Sequence, residues 1–118
     1  MFRFKNFKVY KDAKEFCAFC ENVIKNFSSQ ENRALASQIR SAYLSITLNI
    51  AEGSSCDSDK EFRRFLEMSL RSVHEVVAAF DIALELGIID VKIQEELETK
   101  AESLCKQING FRRSLLKS

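Results

Sequence analysis

Ser41-Ala42-Tyr43-Leu44-Ser45-Ile46-Thr47-Leu48-Asn49-Ile50-Ala51 is an eleven-residue run without a charge, in a chain of 118 residues that is 30% charged. At about 100° per residue, Leu35, Ile39, Ala42, Ile46 and Ile50 gather on one side of a helix. Leu44, Leu48 and Ala51 gather on nearly the opposite side. A helix that is apolar on two sides has to be covered twice. In so short a chain the rest of a bundle supplies one cover, and a second copy of the protein is expected to supply the other. Leu44, Leu48 and Ala51 are therefore the expected oligomer interface.

The flanking sequence predicts three more helices. Val9, Ala13, Phe16, Cys17, Cys20, Val23, Ile24 and Phe27 keep the three-four spacing of one buried face, giving a first helix from about Val9 to Phe27. The second begins near Ser29 or Gln30, where Ser28 and Glu31 stand in capping-box spacing, and ends at Gly53, a residue suited to a left-handed cap. The third starts at Ser58, with Glu61 in the same relation, and carries Phe62, Phe65, Leu66, Ser69, Leu70, Val73, Val76, Val77, Phe80 and Leu84 inward until Gly87. The fourth is capped by Asp90 and runs to about Leu116 with Ile93, Leu97, Ala101, Leu104, Ile108, Phe111 and Leu115 on one face. Connections this short make sequential helices antiparallel neighbours. The expectation is all-α: one domain spanning 1–118, an antiparallel up-down-up-down four-helix bundle.

Composition agrees. There is no proline and there are only three glycines, which suits helices and starves hairpins of turn residues. Apolar residues make up 46% of the chain and ten residues are Phe, enough to fill a core without metal or disulfides. No apolar run is long enough to span a membrane, and Met1 to Lys8 has no apolar segment of signal-peptide length. A cytoplasmic location is expected, with the four cysteines as thiols.

Ser45-Ile46-x-x-Asn49-Ile50-Ala51-Glu52-Gly53 resembles the signature of the 23S rRNA intervening-sequence proteins, bacterial four-helix bundles of which some are encoded within insertions in ribosomal RNA genes. Phe7-x-Val9-Tyr10-x-x-Ala13 is similar to the family's opening, and Gln38-Ile39-Arg40-x-Ala42 to its Gln-Ile-Arg-Arg-Ala segment. Glu61-Phe62-x-x-Phe65-Leu66, Ser72-x-x-Glu75 and Leu86-Gly87 resemble its third helix and the turn that follows. The resemblance implies a four-helix bundle. Through the related accessory protein of diversity-generating retroelements it also implies a homopentamer that binds nucleic acid and a nucleic-acid enzyme, a reverse transcriptase. This chain has Ser28 and Thr47 where the family often has proline, so a straighter second helix is expected. Its loop after Gly53, Ser-Ser-Cys-Asp-Ser-Asp, is acidic where the family's often carries basic residues.

No constellation announces catalysis. Cys17-x-x-Cys20 lacks the further Cys or His ligands of a metal site, and His74, the sole histidine, falls off the inward arc of its helix. Burial as small hydrophobes explains such cysteines. Gly-rich phosphate loops and nucleophile–base pairs are missing, so no enzyme, cofactor or metal is expected. Gln38, Ser45, Asn49 and Glu52 recur along the edge of the second helix, where Ser72 and Glu75 of the third would meet them. A hydrogen-bonded network that fixes register and subunit packing is expected there, in preference to a binding cleft.

Charge carries the remaining signal. The inferred topology brings the chain start, the 52–64 turn and the chain end together. Residues 1–14 contribute +4, residues 106–118 another +4, and the turn −1. The opposite end sums to −5, so a net charge of +1 hides an asymmetry along the bundle. The helix dipole explains acids at the start of the fourth helix and bases at its end, but not lysines opening the first. A ring of parallel copies would multiply the basic end into a phosphate-binding surface. Arg3, Lys5, Lys8, Lys11, Lys14, Arg63, Arg64, Arg112, Arg113 and Lys117 are the candidate contacts, and Phe2, Phe4, Phe7 and Tyr10 are placed to stack on bases or to dock on the bundle. The expected function is a non-enzymatic homo-oligomeric module associated with RNA, DNA or a nucleic-acid enzyme. The alternative is a protein–protein scaffold that binds no nucleic acid.

Overall fold

The computed structural model describes residues 1–116. A 3-10 turn at Arg3–Asn6 leads into four helices: α1 (Lys8–Ile24), α2 (Gln30–Gly53), α3 (Asp59–Glu85) and α4 (Val91–Leu115). Each helix packs on its neighbour in sequence and α1 closes against α4, giving an all-α four-helix bundle of about 47 × 22 × 20 Å. No helix among the described residues is long and apolar enough to cross a membrane.

Side-chain caps start three of the helices. Ser58 Oγ accepts from the Glu61 amide at 3.1 Å, and Asp90 Oδ1 from the Ile93 amide at 2.9 Å, as the spacing predicts. At α2 the cap is Ser29, whose Oγ accepts from the Asn32 amide at 3.1 Å, and not Ser28. The first helix also stops earlier than its apolar spacing suggests, at Ile24. Asn26 turns its side-chain amide back to the Asn22 carbonyl at 3.4 Å, a local bond that competes with continued helix. Phe27 is buried all the same, tucked under the bundle by a non-helical backbone.

The two helix-ending glycines do different work. Gly87, at φ +74°, closes α3 with a paired cap in which Ile88 N–H donates to the Ala83 carbonyl at 2.9 Å and Gly87 N–H to Leu84 at 3.0 Å. Gly53 was expected to do the same for α2 but is helical and buried, and Ser54 follows it in the right-handed region. A Cβ on Gly53 would lie 2.7 Å from Phe65 Cβ and 2.9 Å from Phe62 Cδ1. Glycine at this position lets the start of α3 press against the end of α2.

The core is the set of inward faces read from periodicity. Phe16, Ile24, Ile39, Ile46, Ile50, Phe62, Leu66, Phe80, Leu97 and Ile108 are fully enclosed. Thr47 keeps α2 unbroken through its 24 residues and donates its hydroxyl to the Leu44 carbonyl at 3.1 Å. Ser69, wholly buried on α3, donates across to the Ile46 carbonyl of α2 at 2.8 Å. That bond satisfies a core hydroxyl and fixes the relative height of the two helices.

Candidate nucleic-acid interface and assembly surface

Chain start, α2–α3 turn and chain end are knotted together at one end. Arg3 donates from Nε and Nη2 to the Ser54 carbonyl at 3.3 and 3.1 Å, while its guanidinium covers the rings of Phe7 and Phe62 at 5.7 and 5.6 Å. Phe7 lies 5.1 Å from Phe111 and 6.3 Å from Phe62. Arg63 donates to the Leu115 carbonyl at 3.3 Å. The 3-10 turn therefore docks as a plug on the bundle's end, with Arg3 turned onto the bundle and Lys5 exposed.

That docking divides the ten candidate bases. Arg3 and Arg63 hold backbone carbonyls. Lys8 pairs with Asp12 at 2.7 Å, Arg64 with Glu61 at 3.5 Å, and Arg112 with Glu67 at 3.9 Å and Asn109 at 3.0 Å. The Lys8 ammonium and a hydrogen bond from Gln107 hold the Asp12 carboxyl below its usual range. Lys5 and Lys14 rest over the rings of Phe2 and Tyr10, at 5.9 and 5.2 Å, and stay exposed. Lys11 and Arg113 are exposed and enter no ion pair among the described residues. Lys117 lies outside the described residues. Among the aromatics, Phe7 is docked, Phe4 packs on Tyr10 at 4.8 Å, and Phe2 alone is well exposed, at 61%.

On the outer side of α2, Leu44 is 49% and Leu48 60% exposed, and Ala51 is half-buried. No helix of the same chain covers the two leucines. Of the polar edge, Ser45, Asn49 and Ser72 come together: Ser72 donates to Ser45 Oγ at 2.9 Å, and Asn49 Nδ2 to the Ser45 carbonyl and hydroxyl at 2.8 and 2.9 Å. Gln38, Glu52 and Glu75 are exposed, and no hydrogen bond joins their side chains to this group among the described residues.

A second polar cluster escaped the sequence. Arg40 Nε and Nη2 donate to the two oxygens of Glu21 at 2.9 and 3.0 Å, and Tyr43 Oη donates to Glu21 Oε1 at 2.8 Å. The fork ties α1 to α2 beside Cys17, whose thiol donates to the Tyr43 carbonyl at 3.3 Å. Arg40 and Tyr43, three apart on one helix face, were the available signal, whereas nothing near Glu21 in the sequence marks it as their partner. The hydrogen bonds from Arg40 and then Tyr43 hold the Glu21 carboxyl below its ordinary 4.5, and burial and Glu21 push Tyr43 up to about 12. A depressed carboxyl stabilises the fold fully above its unfolded value and loses that contribution as pH falls through the folded one. Glu21→Gln is accordingly expected to lower the melting temperature at neutral pH by a few degrees at most, with native and variant melting temperatures converging as pH falls and the folded carboxyl is protonated.

Burial pushes the Cys17 thiol up to about 11 and raises Cys20 and Cys105 as well, so none of the three supplies a thiolate at neutral pH. No group of three or more His, Cys, Asp and Glu side chains converges on a metal position among the described residues. A groove of about 730 Å³ between α3 and α4 has an apolar floor of Val73, Val77, Ala101 and Cys105. Its one imidazole, His74, has Nδ1 3.1 Å from the Leu70 carbonyl of its own helix.

The model of the 23S rRNA-intervening sequence protein family matches residues 5–110, nearly the whole chain. The chain belongs to that family. The match takes in α1 to α3, most of α4 and the second half of the 3-10 turn from Lys5 onward, while Arg3 lies before it. A solved structure from the S23 ribosomal protein family of Bacteroides thetaiotaomicron, a protein of unknown function, superposes with a TM-score of 0.81. The alignment covers 88% of this chain and 97% of that one at 19% identity, a likeness of fold. No curated protein matches the sequence.

Proposed function

We propose that this family member is a non-enzymatic assembly module. Its copies associate side by side through the outer flank of α2, and the particle presents clustered basic ends to the phosphates of RNA or DNA. The observation that carries this is the pair Leu44 and Leu48, exposed at 49% and 60% within a stretch free of charge. Isolated surface leucines need no explanation, but two on one helical stripe with no charged residue between them make a seam suited to another helix.

Each copy adds Lys5, Lys11, Lys14 and Arg113 to the shared end, none of them spent in an ion pair among the described residues. Phe2 supplies an open ring for a base to stack on. Arg3, Arg63 and Arg112 have a different task, holding that end in shape. Binding of fluorescent mixed-sequence RNA or DNA, followed by anisotropy, should weaken steeply as salt rises, by a log–log slope of about −0.7 to −0.9 per phosphate neutralised. Lys11→Glu/Arg113→Glu should flatten the slope, while Arg3→Gln should act chiefly through stability. Absence of binding at low salt would end the nucleic-acid half of the proposal. The scaffold alternative would then stand, and recovery of a protein partner after nuclease treatment would support it.

A further inference from the structure

Eight large apolar side chains are exposed among the described residues, and they fall into three groups. Leu44 and Leu48 form the seam on α2. Met1, Phe2 and Leu116 stand at the basic end. Ile82, Leu86 and Val91 flank the α3–α4 turn at the other end, exposed by 51, 66 and 58%. Glu85 adjoins Leu86 in the chain, Glu95 and Glu96 follow Val91 and the exposed Lys92 on α4, and none of the three acids enters an ion pair among the described residues.

We propose that the acidic, aliphatic end of one copy seats on the basic, aromatic end of the next, so that bundles stack end to end. Each end pairs exposed apolar surface with charges that enter no ion pair among the described residues, and the charges are of opposite sign. A net charge of +1 leaves little long-range repulsion between approaching copies. The two ends face opposite ways along a body 47 Å long. The contact is therefore heterologous and does not close on itself over two copies, so it continues as a line with an axial repeat near 47 Å. It involves neither Leu44 nor Leu48 and is independent of side-by-side assembly. It does occupy Lys5 and Arg113, so a polyanion bound as proposed above would compete with the stack; that competition alone rests on the nucleic-acid proposal.

Sedimentation velocity on the full chain tests this, at about 0.01 M salt, where charges reach about 30 Å, and at about 1 M, where they reach about 3 Å. The native chain should grow with concentration at low salt and return to a fixed unit at high salt. Ile82→Gln/Glu85→Gln/Leu86→Gln, which alters only exposed positions on α3 and its cap, should remain at that unit, as should Lys5→Glu/Arg113→Glu. Mixing the two variants leaves one intact end of each kind, so the mass should double and then stop. Circular dichroism on each variant should match that of the native chain. A native mass independent of concentration at low salt, a variant that stacks like the native chain, or a mixture that fails to double would each overturn the proposal.

Discussion

Phe62→Ala is expected to destabilise the protein by about 3–5 kcal/mol, a large share of the about 5–15 kcal/mol that holds a domain folded. Phe62 is 2% exposed and lies where three segments of chain meet. Its ring is 5.1 Å from Phe111 of α4 and 6.3 Å from Phe7 before α1, and it carries the Arg3 guanidinium at 5.6 Å. Gly53 of α2 presses on it from the remaining side. Removing the ring takes away transfer energy and leaves a void that only Phe7 and Phe111, both half-buried, are free to fill. Denaturant unfolding at a fixed protein concentration should show a lower midpoint with an unchanged slope. A loss below about 1 kcal/mol would mean that the basic end is not packed as described. The same substitution should loosen Arg3 from Ser54 and blur the arrangement of the surrounding lysines, weakening the proposed nucleic-acid binding in a way that Phe62→Leu would largely spare.

The bundle was legible because its signals are local and repeated. Apolar spacing placed every inward face, and Ser58 and Asp90 marked two helix starts whose caps need only a side chain and an amide three residues on. Errors arose where a distant element decides the matter. Gly53 has the sequence context of a helix-ending glycine, yet it is small because Phe62 and Phe65 of α3 arrive there. Ser28 and Ser29 are equally good caps by type, and the structure places the bond on the second. The Glu21–Arg40–Tyr43 fork was illegible for a similar reason, since it joins residues 19 and 22 apart whose meeting depends on the rotation of two helices. At the basic end the net charge was readable, but its division between structural and free bases was not. That division depends on carbonyls such as Ser54 and Leu115, which carry no sequence signal.

Leu44→Glu/Leu48→Glu should dissociate the proposed side-by-side assembly while leaving each chain folded. In a lone molecule both positions are exposed, and Glu is nearly as good a helix former as Leu, so stability should change by only about 0.5 kcal/mol either way. In an assembly sealed across this seam, the same change would bury two carboxylates per copy without partners, at about 3–5 kcal/mol for each uncompensated charge. Far-UV circular dichroism should be the same for both proteins. Light scattering on the native chain and the double variant is the direct test of the claim that the outer flank of α2 is covered by another copy. At about 1 M salt, where end-to-end contacts are screened, the native mass should be a multiple of 13.6 kDa and the variant mass 13.6 kDa. A native chain already at 13.6 kDa, or a double variant still at the native mass, would contradict it.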